Sequence, residues 1–222
     1  MSATVSLQYP RVVNYQNIRH QLQTGDVIAF GGAYLESRMI KKASGGVVSH
    51  IGIVLRSRFD AQINDTVVEV MEANHDEQYP DLNGVVLSRL TDRIPFYKGD
   101  IWILRLADAY RSSIDIREME KFLVGELGKE YDMKTRWRAA IDWFDRWGVS
   151  HNPENLQSYF CSELIAAAYK YCGAMPDINP SEINPTDIIR WQIYQPDYYQ
   201  IKCWEYKAVA IPEYNSLSVC DL

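Results

Sequence analysis

The sequence predicts an α+β fold. Three observations carry that reading: short β-branched runs bounded by turn residues, apolar residues at helical spacing in separate stretches, and strands that follow one another as an antiparallel meander with helices gathered to one side. After a polar N-terminal arm, Gly25-Asp26-Val27-Ile28-Ala29-Phe30 reads as a turn entering a short strand, and residues 34–42 as a helix leading to Gly45-Gly46. Strands follow at 47–56, 66–73, 84–89 and 100–105. Residues 113–127 are helical, with Ile114, Ile116, Met119, Phe122 and Leu123 near one face and Gly128 as the stop. In residues 136–147, Trp137, Ile141, Phe144 and Trp147 recur at helical spacing; a helix over the core is expected, or else a lid or groove wall gripping an acyl chain. Residues 148–155 read as loop, and a helix runs from about Cys161 to Cys172, ending at Gly173.

Composition narrows the function. A chain of 222 residues with 47% hydrophobic content can bury a full core, and no low-complexity run or linker divides it, so one domain over 1–222 is expected. A net charge of -6 and a pI near 5.3 argue against a nucleic-acid surface and against an electrostatic membrane anchor. No basic-then-apolar leader and no apolar stretch of roughly 20 residues stands out, so the expectation is a cytoplasmic protein without an integral membrane segment. Four cysteines, Cys161, Cys172, Cys203 and Cys220, are too sparse for a disulfide scaffold, and scattered histidines without CxxC spacing predict no metal site. Nothing fixes the oligomeric state.

The chemistry-bearing residues are Cys161 and His50. Cys161 lies in Tyr159-Phe160-Cys161-Ser162-Glu163-Leu164-Ile165, where the apolar stripe Leu164, Ile165, Ala168 begins, so the sequence places it in the first turn of a helix. There the dipole and unpaired amides favour an anion by about 0.3–1 kcal/mol. The competing reading is a buried cysteine acting as a small hydrophobe. His50 stands in a strand whose alternation puts His50, Gly52 and Val54 on one face and Ser49, Ile51, Ile53 and Leu55 on the other. Gly52 is expected to let the Cys161 helix settle on the sheet, with His50 one pleat away. A third group should orient the imidazole. The next strand offers Glu72, beside the loop Asn74-His75-Asp76-Glu77, with Glu69 as the alternative and His75 less suited.

Taken in order, Gly25-Asp26-Val27-Ile28, Ser49-His50-Ile51-Gly52-Ile53-Val54, a strand ending Glu72-Ala73, Gly128-Lys129-Glu130-Tyr131-Asp132, Phe160-Cys161-Ser162-Glu163-Leu164 and Pro185-Thr186-Asp187-Ile188 resemble the circularly permuted NlpC-type papain-like cysteine hydrolases. These include YiiX-like and YaeF-like proteins and, more distantly, the lecithin:retinol acyltransferase group. The resemblance runs from about Gln23 to Trp191, leaving extensions at both ends. It implies a permuted papain-like fold, an antiparallel sheet or half-barrel packed against helices with the nucleophile at a helix N-terminus. It also implies Cys161 as nucleophile, His50 as base and Glu72 as orienter. The Cys161 backbone amide would be an oxyanion donor, with Tyr159 and Ser49 as further oxyanion or substrate contacts. The acyltransferase group usually has a second histidine where this chain has Glu72, which favours hydrolysis.

The expected function is therefore a thiol hydrolase acting on a peptide, acyl-amide or lipid-ester substrate, with no cofactor. An acyltransferase, or a binding protein on the same fold, is the alternative. Asp76, Glu77 and Asp81 would bias the groove toward cationic substrates.

Overall fold

Seven strands form one sheet in the order β1-β7-β6-β2-β3-β4-β5. The structure, a computed structural model, describes residues 8–33, 41, 46–74, 84–129 and 153–217, the side chains of 74 and 153–160 excepted. The strands are β1 (Arg11–Val12), β2 (Val27–Gly32), β3 (His50–Asp60), β4 (Asp65–Asn74), β5 (Gly84–Arg89), β6 (Gly99–Leu104) and β7 (Tyr199–Lys202). The helices are α1 (Tyr15–Ile18), α2 (Leu90–Phe96), α3 (Asp108–Ser112), α4 (Ile116–Glu126), α5 (Pro153–Tyr171) and α6 (Pro185–Arg190). The chain is thus α+β. Strands β2 to β5 form the expected antiparallel meander; β6 returns to pair with β2, and the sheet is completed by β7 and by β1, which runs parallel to β7. The tryptophan-rich stretch 136–147, loop residues 148–152, Asp76, Glu77 and Asp81 lie outside the described residues, as does all of the expected helix 34–42 except Lys41.

Alternation along the strands creates two cores. On one face, Val27, Ala29, Ile51, Ile53 and Met71 pack against Met119 and Leu123 of α4, Leu164 and Ile165 of α5, and Ile188 of α6. On the other, Ile28, Phe30, Val54, Val68 and Val70 pack against Tyr15, Ile18, Leu22 and Leu90. Helices therefore cover both faces, which corrects the expectation of helices on one side. The N-terminal arm read as polar contributes α1, whose Tyr15 and Ile18 are buried.

Local signals explain the helix ends. Asp115 caps α4 by accepting from the amides of Arg117 and Glu118. Asn184 and Asp187 form a reciprocal capping box on α6, with Pro185 beside the cap, which gives the Pro-Thr-Asp segment a structural purpose. One correction bears directly on the site: α5 starts at Pro153, so Cys161 lies eight residues inside it. Proline suits a first helical position, and the polar Glu154, Asn155, Gln157 and Ser158 hide the first turns from any apolar-spacing signal.

Before β2 the chain is pinned by Gly25 and Asp26. Gly25 has φ +89°, and a Cβ there would lie 2.9 Å from Leu106 Cδ1. Its carbonyl accepts from the Tyr169 hydroxyl of α5 at 2.6 Å. The buried Asp26 carboxylate accepts from the amides of Gln23 (2.9 Å) and Leu106 (3.0 Å) and pairs with Arg111 of α3. Strand, β6 exit, α3 and α5 are thereby fastened at one point.

Candidate functional site

The site is assembled where β3 begins. In the antiparallel register, Ile53 faces Met71 and Val54 faces Val70, so Gly52 falls opposite Glu72 and His50 is its diagonal neighbour. A Cβ on Gly52 would lie 2.7 Å from Val70 Cγ1 and 3.0 Å from Glu72 Cγ. The close approach at Gly52 is thus made by β4 side chains on its own face. This corrects the expectation that α5 settles there: the α5 contacts belong to the opposite alternation, that of Ile51 and Ile53. The missing side chain leaves the room through which Glu72 leans toward His50.

Glu72 Oε2 lies 2.8 Å from His50 Nε2. The same oxygen accepts from Arg93 Nη2 (3.2 Å) and Nε (3.4 Å), and Oε1 accepts from Ser88 Oγ (2.8 Å). Glu69, the alternative, instead pairs with Arg56 (3.4 Å) and Arg58 (3.9 Å). Ser88 is on β5, where it faces Val70 across the ladder, and Arg93 follows on α2. The Arg93 guanidinium lies 5.5 Å from the Phe30 ring centroid and 5.4 Å from that of Tyr97, while Phe30 stands 5.4 Å from the His50 ring.

His50 joins this group to Cys161. Burial alone would lower the imidazole pKa, but the charge and hydrogen bonding of Cys161 and then Glu72 overcome it and raise the value to about 9. Nε2 is taken by Glu72, so Nδ1, which is buried without a well-formed hydrogen bond, is the nitrogen left for the sulfur. For Glu72, burial alone would raise the pKa; the His50 hydrogen bond, Arg93, the His50 charge and Ser88 lower it to about 2. Cys161 is fully buried and packs with the α5-side core, while His50 and Glu72 are 7% and 1% exposed. The three residues expected to act together are therefore neighbours, with the imidazole at the start of β3 between sulfur and carboxylate.

The remaining expectations fare differently. Deep inside α5, the Cys161 amide belongs to the helix's own i→i−4 ladder and has no free N–H to offer an oxyanion. Ser49 Oγ accepts from the Gly32 amide (3.1 Å) and donates to the Phe30 carbonyl (3.3 Å), tying the entrance of β3 to β2. Tyr159 falls on α5, and its side chain lies outside the described ones. Sequence reading missed Ser88 and Arg93. The alternation of β5 against β4 could have suggested Ser88; for Arg93, on a short helix across the face, no local signal exists.

Among the described residues, no group of three or more His, Cys, Asp and Glu side chains is arranged to hold a metal ion, and no helix is long and apolar enough to cross a membrane. No protein-family model matches the sequence, and no curated protein matches it. Among solved structures, the metalloprotein YiiX from Escherichia coli O157:H7 is similar at 22% identity, over 68% of this chain and 67% of that one, with a TM-score of 0.42.

Proposed function

We propose that this chain is a cysteine-dependent hydrolase on a permuted papain-like, NlpC-type fold, cleaving an amide, peptide or ester bond through an acyl-enzyme. The observation that carries the reading is the His50 ring, held by Glu72 at 2.8 Å through one nitrogen and coupled to Cys161 through its surroundings. Cys161 Sγ attacks the carbonyl carbon with its proton already held on His50 Nδ1, and the carbonyl π electrons move onto oxygen. Collapse of that intermediate expels the amine or alcohol, which takes the proton from His50. Water then attacks the thioester, giving a proton to His50 and releasing a carboxylic acid and the thiolate. Glu72 holds the tautomer and stabilises the imidazolium throughout. Another nucleophile in place of water would make the same residues an acyltransferase.

Iodoacetamide labelling at pH 7, with peptide mapping of all four cysteines, tests this assignment. Cys161 should react fastest, and His50→Ala should slow it by at least about tenfold, the lower range of what a positioned base contributes being larger still. Labelling of Cys161 no faster than Cys172, or indifferent to His50, overturns the reading. The full burial of Cys161 favours a second reading in that event: a binding protein retaining the arrangement without turnover.

A further inference from the structure

The proposed reaction requires His50 to alternate between charged and neutral forms, which raises a question about the carboxylate beside it. Glu72 is 1% exposed, and a buried carboxylate left without a partner is costly. When the ring is an imidazolium, it partners Glu72. When the ring is neutral, it still donates a hydrogen bond but supplies no charge. Among the described residues, Cys161 from α5 and Glu72 from β4 act on His50, while Arg93 from α2 bonds Glu72, with the Tyr97 phenol just beyond it. Burial pushes the Tyr97 pKa up, so the phenol stays neutral. The only fixed positive charge in that set is Arg93.

We propose that Arg93 is the permanent counter-charge of Glu72, a positioning residue that lets His50 give up its proton without stranding a buried carboxylate. Arg93 and His50 share one oxygen, Oε2, at 3.2 and 2.8 Å, while Ser88 holds Oε1. The carboxylate is thereby fixed at both oxygens by donors other than the ring. Arginine suits the task because it does not lose its proton in this pH range and its flat face packs over Phe30 and Tyr97. Its backbone is secured by the fully buried Leu90 at the start of α2. Ser88 and Arg93 come from one strand-to-helix junction, so a single segment both orients and neutralises the carboxylate.

This deepens the hydrolase reading, but its test needs no turnover. The His50 ring is titrated by NMR in the full chain, its signals assigned by their loss in His50→Gln. Without Arg93 the His50–Glu72 pair should hold its proton to higher pH, so Arg93→Gln lowers the acid dissociation constant by about tenfold or more. Arg93→Lys, which keeps the charge, stays within about threefold of wild type. A midpoint in Arg93→Gln that is unchanged or moves to lower pH overturns the proposal, as does an equal shift in Arg93→Lys. Should Arg93→Gln fail to fold, the double variant Arg93→Gln/Glu72→Gln should recover a cooperative urea transition, because no buried charge is then unmatched. Failure to recover likewise overturns it. Cys161 labelling stands apart from both readouts, so failure of the nucleophile assignment and failure of this one are distinguishable.

Discussion

Two buried carboxylates, Asp26 and Glu72, each sit beside an arginine, yet their pKa values move in opposite directions. Burial pushes Asp26 up to about 6 even though Arg111 and the Gln23 and Leu106 amides oppose it. Burial acts in the same sense on Glu72 but is overcome by His50, Arg93 and Ser88. The difference is in the donors. Asp26 is held by two backbone amides and one arginine, groups that do not titrate, and it fastens β2 to the β6 exit and α3. Among the described residues Glu72 is held by side chains, one of which is a titratable ring. A carboxylate tied to the backbone is a stitch in the fold; one tied to an imidazole would, on the proposed reading, hold that ring and stabilise its charge.

The largest effect should come from breaking the stitch. Asp26→Ala leaves Arg111, whose side chain is 14% exposed, without its counter-charge and frees two amides. Urea denaturation should show a loss of about 3–5 kcal/mol. Glu72→Gln retains an acceptor for Ser88 and should cost less, about 1–3 kcal/mol, while removing the labelling advantage of Cys161. An equal stability loss for the two variants, with labelling unaffected by Glu72→Gln, would erase the distinction between them.

How much of this was legible in the sequence also divides along these lines. The β2–β5 meander was readable because β-branched runs alternate and turn residues separate them, and β5 matches its expected span of 84–89. The grouping of Cys161, His50 and Glu72 rested on residue type, the place of Glu72 at its strand end and the order of the segments, because strand parity alone did not separate Glu72 from Glu69 and set α5 on the wrong face of Gly52. The start of α5 was not, because polar first turns carry no apolar period, and with it went the helix N-terminus and the oxyanion amide. The roles of Gly52 and Arg93 depend on which strand or helix crosses which face. That information resides in tertiary register, not in local spacing.

Gly52 tests the register directly. Its methyl in Gly52→Ala would meet Val70 Cγ1 at 2.7 Å and Glu72 Cγ at 3.0 Å, in a sheet with little room to yield. Overpacking should cost about 1–3 kcal/mol, and the displaced carboxylate should slow Cys161 labelling as well. Gly125 is the control, since nothing lies within 4 Å of a Cβ built there on α4. Gly125→Ala should stabilise the chain by about 0.5–1 kcal/mol, helix propensity being the only term that changes, and leave labelling alone. If Gly52→Ala lowered stability without touching labelling, the room at Gly52 would serve packing rather than the reach of Glu72.

The smallest effects are the most discriminating, because Asp26 and Glu72 respond to pH in opposite directions and His50 titrates above both. The Asp26 pKa is raised on folding, so its contribution is present below about 3.8 and is lost as pH rises through about 6. Glu72 is lowered, so its contribution is present above about 4.5 and is lost as pH falls through about 2. His50 is raised, so its contribution is present below about 6.5 and is lost as pH rises through about 9. Thermal melts of wild type against Asp26→Asn, Glu72→Gln and His50→Gln read these groups, Asp26 by itself and His50 and Glu72 as a linked pair, since each shifts the other's pKa. The wild-type advantage should shrink between pH 4 and 6 for the first, between pH 4.5 and 2 for the second, and between pH 6.5 and 9 for the third. A His50→Gln difference that stays flat above pH 6.5 would mean that the ring is not held as an imidazolium, and the contrast between stitch and proton carrier would fall with it.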